Sequence, residues 1–582
     1  MRHAIALTLI IFGITAPALA LDGYPTTSLA EDATATWCPY CPEAYAGLDV
    51  VHSRYDATEF ISARYYSSSS GGDLATPETD AAIAYYGITG FPTVMINGTE
   101  RFVGGDETIA SGGPYLGVVD AACLAPAPIR IDVDSFDPAT GDVAATVTMY
   151  SESETLQGEH IRFLLLEDDV TEEHTAVTRD IVSDTVSLSG PGNSVSVNTS
   201  FTLDPEWNVD NLHAVVFVQR QNQEIVQAAS SHPRPDFKIR AMTTSASQQI
   251  GPSSGLYEAD WFTLMNVGLD DTFTISAVID EAPENWNITY CDDRGQCYTD
   301  PHTFDLSADG STEFHANVIP RSPGYMNYHF EISSPNLTAP LIVNFTYFTD
   351  DLDVLLVDDD GGEDYEKYFT AALDAAGRSY GVWNLSAAKL TAEVEAAYSL
   401  LIWNVGLAYP SLDTEDREML RRHLDAGGKL FLSGQDIGWD LNESGNNEDP
   451  GFYADYLHAD FISDDTNTMD LDGVPGDPIT EGLALRIHGG DGAINQYYPS
   501  EIAAHDDDAT EILYYVGHGA GAIRSVDSDS RARVVYLAFG FEGINNPEDR
   551  AALMSAAVTW LLPVGPQHDG TQQQIPSAIT ID

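Results

Sequence analysis

The stretch Thr36-Trp37-Cys38-Pro39-Tyr40-Cys41-Pro42 decides how the first hundred residues are read. It holds a C-x-x-C pair between an apolar strand pattern and a helical one, Glu43 to Tyr55. At a helix start, unpaired amide N–H groups and the helix dipole favour thiolate on Cys38 and make it the attacking sulfur. Cys41, one turn in, is placed to resolve a mixed disulfide. Zinc also uses C-x-x-C, but it needs two further ligands, and no second cysteine pair or H-x3–5-H follows nearby. The remaining alternative is a fixed structural disulfide. Outward from the pair, short apolar strands alternate with a helix: Phe60 to Tyr66, Glu78 to Tyr86, Thr93 to Ile96. An α/β unit over residues 21–125 is expected.

Two further marks give a resemblance. Tyr86-Gly87-Ile88-Thr89-Gly90-Phe91-Pro92-Thr93-Val94 is similar to the segment around the cis-proline of the thioredoxin-like superfamily, and Asp32 stands six residues before Cys38. The resemblance implies an α/β thioredoxin-like domain with Cys38, Cys41, Pro92 and Asp32 as its catalytic set. Pro92 would be cis and face the dithiol, leaving backbone groups free for an extended substrate chain. Asp32 would relay a proton to Cys41, a part that the neighbouring Glu31 is also placed to play. Pro39-Tyr40 between the cysteines resembles glutaredoxins, and Pro42 resembles secreted envelope members. Reductase, oxidase and isomerase directions all stay open.

Upstream, Met1-Arg2-His3, the apolar run Ala4 to Ile14 and Ala18-Leu19-Ala20 read as a signal peptide over residues 1–20, placing the product outside the cell or in a bacterial envelope. No later stretch is apolar enough for a membrane helix. In such a compartment the five cysteines sort by spacing. Cys291 and Cys297 bracket a turn-rich loop that a local structural disulfide can close, and Cys123 reads as a buried small hydrophobe at a helix end.

Downstream, Pro126 and Pro128 begin a region of period-two segments, such as Val143 to Met149 and Ala214 to Val218, expected as a β-sandwich over 126–235. A thioredoxin-like domain followed by a sandwich resembles Omp28-related envelope proteins. After His232-Pro233-Arg234-Pro235, residues 236–350 are expected as a second β-sandwich, similar to bacterial immunoglobulin-like modules, with Trp286 in its core. From Asp353, buried strands alternate with helices: Val354 to Val357, Tyr365 to Ala376, Leu400 to Trp403, Thr414 to Ala426, Lys429 to Leu432, Val534 to Ala538, Asp549 to Leu561. That pattern predicts an open α/β domain over 351–564, flavodoxin-like or amidotransferase-like.

Two tempting sites lie there. The strand ending in Asp358-Asp359-Asp360 resembles the first strand of a phospho-receiver, but Asn404 stands where the acceptor Asp would be. Asp358, Asp359, Asp360, Glu363 and Asp364 are either a Ca²⁺ loop with oxygen ligands or a solvated acidic loop at a helix start. Gly427 to Asp436 resembles class I glutamine-amidotransferase-like domains. No cysteine follows Cys297, so the family's nucleophile is absent unless Ser433 substitutes, with His518 or, more weakly, His488 as base. Residues 565–582 form a polar tail or linker, in which Gln574 to Asp582 resembles the lead-in to C-terminal sorting modules; either the chain is part of a longer one or the likeness is chance.

Composition bounds the function. With 25 Lys plus Arg against 90 Asp plus Glu, the net charge of −65 repels nucleic acid and anionic membranes. The 43% hydrophobic fraction is that of a folded chain, and only four basic residues are Lys, which suits a salty or cation-rich exterior. The leading expectation is an exported thiol–disulfide oxidoreductase without a cofactor, acting on protein thiols and disulfides with an unknown redox partner. The alternative is a surface binding or adhesion protein whose thioredoxin-like domain is vestigial, and the third is a Ser433–His518 hydrolase.

Overall fold

The computed structural model describes residues 23–70, 74–105, 107–171, 174–243, 247–385, 389–445 and 447–563. The expected signal peptide and the tail lie outside the described residues. Strand exceeds helix, 41% to 19%, and the strands fall into several sheets, so the chain is multidomain and β-rich.

Near the N-terminus, β1 (Ser28–Thr34) runs parallel to β2 (Phe60–Tyr66) and antiparallel to β3 (Thr93–Ile96), which turns into β4 (Glu100–Val103). Helices α1 (Cys41–Arg54), α2 (Pro77–Tyr85) and α3 (Gly113–Leu124) cover this sheet. Alternation along β1 divides its two cores. Ala30 packs with Ala44, Leu48 and Val51 of α1 and Val119 of α3, whereas Leu29 and Ala33 pack with Ile83 on α2's side. Thr76 caps α2, exchanging hydrogen bonds with Thr79, so this helix starts where its sequence offers an N-cap.

The sheet does not end at the Pro126 boundary. β5 (Thr155–Glu167), β6 (Val177–Ser189), β7 (Leu212–Gln219) and β8 (Ile225–Ser230) extend it into eight strands in the order β8-β7-β5-β6-β2-β1-β3-β4. The junction is one parallel pairing, Val177 with Arg64, which covers the edge that β2 would otherwise expose. One face of this extension packs on a three-stranded sheet (Ile129–Asp137, Asp142–Met149, Ser194–Ser200), closing a β-sandwich. Its other face brings Val215, Phe217 and Ala228 against Leu29 and Ile61, so the α/β unit and the first sandwich share a core.

Between Ile239 and Thr349, a six-stranded and a five-stranded sheet face each other across Phe262, Phe273, Phe314, Phe330 and Phe345. Trp286 belongs to this core and donates its indole N–H to Ser322 Oγ at 3.2 Å. The last sheet is built on β9 (Val354–Asp358), β10 (Tyr380–Asn384), β11 (Leu400–Gly406), β12 (Lys429–Gly434), β13 (Ala520–Val526) and β14 (Arg533–Leu537). Five of them are parallel, in the order β10-β9-β11-β12-β14, and β13 continues antiparallel. Apolar runs such as Val354–Val357 and Leu400–Trp403 reflect burial on both faces of the central strands. One face is covered by α4 (Glu366–Ala375) and α7 (Pro547–Leu561), the other by α5 (Thr414–Asp425) and α6 (Ile437–Glu443).

Candidate functional site

Cys38 and Cys41 form a disulfide with Cα atoms 5.6 Å apart. The helix begins at Cys41, and Cys38 sits in the preceding turn with its N–H bonded to Ala35 O at 3.0 Å. Burial separates the two sulfurs: Cys38 is 7% exposed and Cys41 1%. Ala35, Tyr45 and Phe91 pack around the pair, and the Phe91–Pro92 peptide is cis. Trp37 and Tyr40, 59% and 61% exposed, flank Cys38 with apolar surface. The backbone also closes tightly here, because a Cβ on Gly105 would lie 2.0 Å from the Tyr40 carbonyl.

On the α1-facing side of β1, Asp32 is fully buried, and neither carboxylate oxygen has a hydrogen-bond partner among the described residues. Its nearest cation is Arg64 on the paired strand, Nε 3.7 Å away. Burial pushes the Asp32 carboxyl up from 3.8 to about 7, with Arg64 pulling the other way. The Arg64 guanidinium stacks over Tyr45 of α1 at 3.9 Å, and the Tyr45 hydroxyl bonds Thr34 on Asp32's face of β1. Glu31, one residue earlier, points to the opposite face. It accepts hydrogen bonds from Tyr65 at 2.7 Å and from Tyr86, and burial raises its carboxyl. The strand's alternation therefore puts Asp32 on α1's side and takes Glu31 away from it.

The other cysteines differ. Cys291 and Cys297 are cross-strand partners in a hairpin and are disulfide-bonded. Cys123 is a free thiol buried at the end of α3, and burial pushes it up to about 12, far from reactive.

In the last sheet, the proposed nucleophile and base do not meet. Ser433 is buried at the end of β12, donating to Phe539 O at 3.1 Å and accepting from Phe541 N at 2.7 Å, so its hydroxyl ties β12 to the segment after β14. His518 has Glu501 as its ion partner at 3.6 Å, and His488 is exposed. The residue at positive φ in the turn after β12 is Asp436, not Ser433. The Ser–His hydrolase expectation is therefore corrected.

The acidic loop is also rearranged. Asp359 turns toward Trp403, whose indole donates to it at 2.9 Å, Asp364 pairs with Lys367 at 2.9 Å, and Asp358 and Asp360 come together with Glu366. Burial, then carboxylate neighbours, raises Asp358 to about 9. Glu366 belongs to α4 and escaped a reading confined to the loop. A third cluster, Asp168 with His213 and His232, has His213 Nδ1 3.1 Å from Asp168 and its two imidazoles stacked at 4.1 Å. Arg64 and Tyr45, which frame Asp32, were also missed. The available signal was a lone arginine inside the apolar run Phe60 to Tyr66 of a chain poor in cations.

No protein-family model and no curated protein matches the sequence. Among solved structures, the chain is similar to HBP35 of Porphyromonas gingivalis at 12% identity, over 56% of this chain and 98% of that one, with a TM-score of 0.30. It is similar to the exo-beta-1,4-mannosidase Op5Man5 from Opitutaceae bacterium strain TAV5 at 11% identity, over 36% of this chain and 35% of that one, with a TM-score of 0.25. The N-terminal domain of PorA is similar at 11% identity, over 19% of this chain and 97% of that one, with a TM-score of 0.15.

Proposed function

We propose that the chain is an exported surface or envelope protein whose N-terminal unit is a thioredoxin-like thiol–disulfide exchanger acting on protein thiols. One observation carries this reading: the more accessible sulfur, Cys38, lies just before a helix start on a sheet whose α1-facing side buries a carboxylate with no hydrogen-bond partner among the described residues. In the oxidising direction, a substrate thiolate attacks Cys38 Sγ, and the Cys38–Cys41 bond breaks. Cys41 leaves as thiolate and takes a proton by way of Asp32, whose raised affinity suits it to holding one near neutral pH. A second substrate thiolate attacks the substrate sulfur of the mixed disulfide and releases Cys38 as thiolate. The substrate is then oxidised by two electrons and the pair reduced, to be reset by a disulfide-bearing partner. The reducing direction is the same path reversed. The exposed Trp37 and Tyr40 beside Cys38 suit a protein substrate, and the two disulfides fit an oxidising exterior. Among the described residues, no helix is long and apolar enough to cross a membrane.

A surface binding role with an inert dithiol unit is the second reading, favoured by how much of the chain is sheet outside that unit. Cys41→Ser separates them. Incubated in reduced form with a disulfide-linked peptide dimer, an exchanger's Cys38 thiolate displaces one peptide thiol and keeps the other as a mixed disulfide that no Cys41 resolves. Absence of that adduct in the full folded chain leaves the binding reading in front.

A further inference from the structure

The parallel part of the last sheet has its own reversal point. The chain passes from β9 outward to the edge strand β10, then returns across β9 to β11, so the carboxyl ends of β9 and β11 flank the crevice where open α/β sheets take ligands. The acids described above occupy that crevice. Asp358 ends β9 in register with Asn404 of β11, Asp360 follows, and Glu366 opens α4. One carboxylate oxygen from each of the three lies within 4.8 Å of the others. Asp360 is held in place, accepting from Gly362 N at 3.1 Å, Tyr365 N at 3.1 Å and Asn404 Nδ2 at 3.3 Å. No Lys or Arg among the described residues forms an ion pair with any of the three.

Oxygens without donors surround this group. Asp358 Oδ1 and Glu366 Oε2 are buried without a hydrogen-bond partner among the described residues. Asn404 supplies an independent observation. It is fully buried, its amide nitrogen is spent on Asp360, and its Oδ1, one amide width away, has no partner among the described residues. Glu542, fully buried beyond β14, repeats the pattern: Oε1 accepts from Asn495 at 2.8 Å and Gln496 at 3.1 Å, while Oε2 has no partner among the described residues. Buried oxygens that no donor satisfies are costly unless something positive joins them. A donor set made only of carboxylate and amide oxygens selects a hard divalent cation over zinc or copper.

We propose that Asp358, Asp360 and Glu366, with the Asn404 amide oxygen, form a binding site for a hard divalent cation of the Ca²⁺ or Mg²⁺ class in the crevice between β9 and β11. Asp359 is not a ligand because it serves Trp403, and the exposed Asp364 belongs to the solvated surface. The cation neutralises a crowded acid group and fixes the loop between β9 and α4, leaving its outward coordination positions to water or to an anionic group of a ligand.

The test uses the full chain, stripped with chelator and held in 0.5 M NaCl to suppress diffuse binding to its negative surface. CaCl₂ and MgCl₂ are titrated separately by equilibrium dialysis and calorimetry. The expected result is one saturable site that Asp360→Asn or Glu366→Gln weakens at least tenfold and that Asp364→Asn leaves unchanged. Either ion binding tighter supports the class, and their ratio assigns the ion. In differential scanning, the cation raises the melting temperature of the parent chain by several degrees more than that of Asp360→Asn. Equal uptake by parent and Asp360→Asn overturns the proposal. So does a parent chain with no saturable site below millimolar for either ion, a result that stands even if the variants fold poorly.

Discussion

The two disulfides close loops of similar size in opposite surroundings. Cys38–Cys41 spans three residues and Cys291–Cys297 six, and loop-closure entropy assigns each roughly 2 kcal/mol. Size therefore does not tell a staple from an exchanger. The loop around the second pair is held without the sulfur bond. Asp292 accepts from Arg294 N at 3.1 Å, Gln296 N at 2.8 Å and Tyr298 OH at 3.0 Å, and Gly295 takes the positive φ of the turn. The first pair instead lies, beside exposed aromatics, on the α1 side of a sheet that buries a carboxylate with no hydrogen-bond partner among the described residues. In the hairpin the loop carboxylate, Asp292, is satisfied. At the dithiol one is left costly, which stability alone does not explain.

That contrast breaks first at Asp32. Its carboxyl binds protons more tightly folded than unfolded, so it weighs on folding increasingly as pH rises from about 4 through 7. Asp32→Asn removes that cost. Going from 3.8 to about 7 corresponds to roughly 4 kcal/mol at about 1.4 kcal/mol per pH unit, so the variant is more stable at pH 8 and equal to the parent near pH 3, measured by urea unfolding at both. A parent more stable than Asp32→Asn at pH 8 contradicts the assignment. The same substitution slows reduction of a peptide disulfide by the Cys38/Cys41 dithiol on the order of 10²-fold, read by stopped-flow Trp fluorescence, because the proton relay is lost. A stabilised but unslowed variant reduces Asp32 to a packing residue.

Replacing both Cys291 and Cys297 by Ala costs roughly 2 kcal/mol in unfolding and leaves exchange at Cys38 unchanged. A loss of exchange in that variant makes the hairpin part of the active unit. Asp292→Asn costs about 1 kcal/mol through weakened turn hydrogen bonds, the opposite sign to Asp32→Asn. The smallest effect is at Trp37. Trp37→Ala weakens exchange with a protein disulfide about threefold, by KM, and leaves reduction by dithiothreitol unchanged, because only the larger substrate reaches the apolar rim.

Much of this was legible in the sequence because one-dimensional signals suffice for it. Phe60–Tyr66 and Thr93–Ile96 are strands at the bounds their apolar runs give, and Leu400 to Trp403 lies within a buried strand. The C-x-x-C motif leads into a helix, which starts at Cys41 itself rather than Glu43 because Pro42 is well suited to the first helical turn. What sequence did not give depends on pairing between distant residues. The fusion of the α/β unit with the first sandwich turns on Val177 meeting Arg64, which no local pattern announces. The choice between Glu31 and Asp32 needed the face of β1, and the dismissal of Ser433 needed Phe539 and Phe541, more than a hundred residues away. The acids that gather between β9 and β11 skip Asp359 because strand alternation turns it aside, and they recruit Glu366 from the next helix.

The most direct measurement equilibrates the full chain in graded thiol buffers and counts alkylated cysteines at each pair by peptide mass spectrometry. The account predicts that Cys38 and Cys41 open within the range of exchange proteins, about −120 to −270 mV, while Cys291 and Cys297 stay closed below about −300 mV. Both pairs resisting reduction below about −300 mV, or the hairpin opening first, would contradict it.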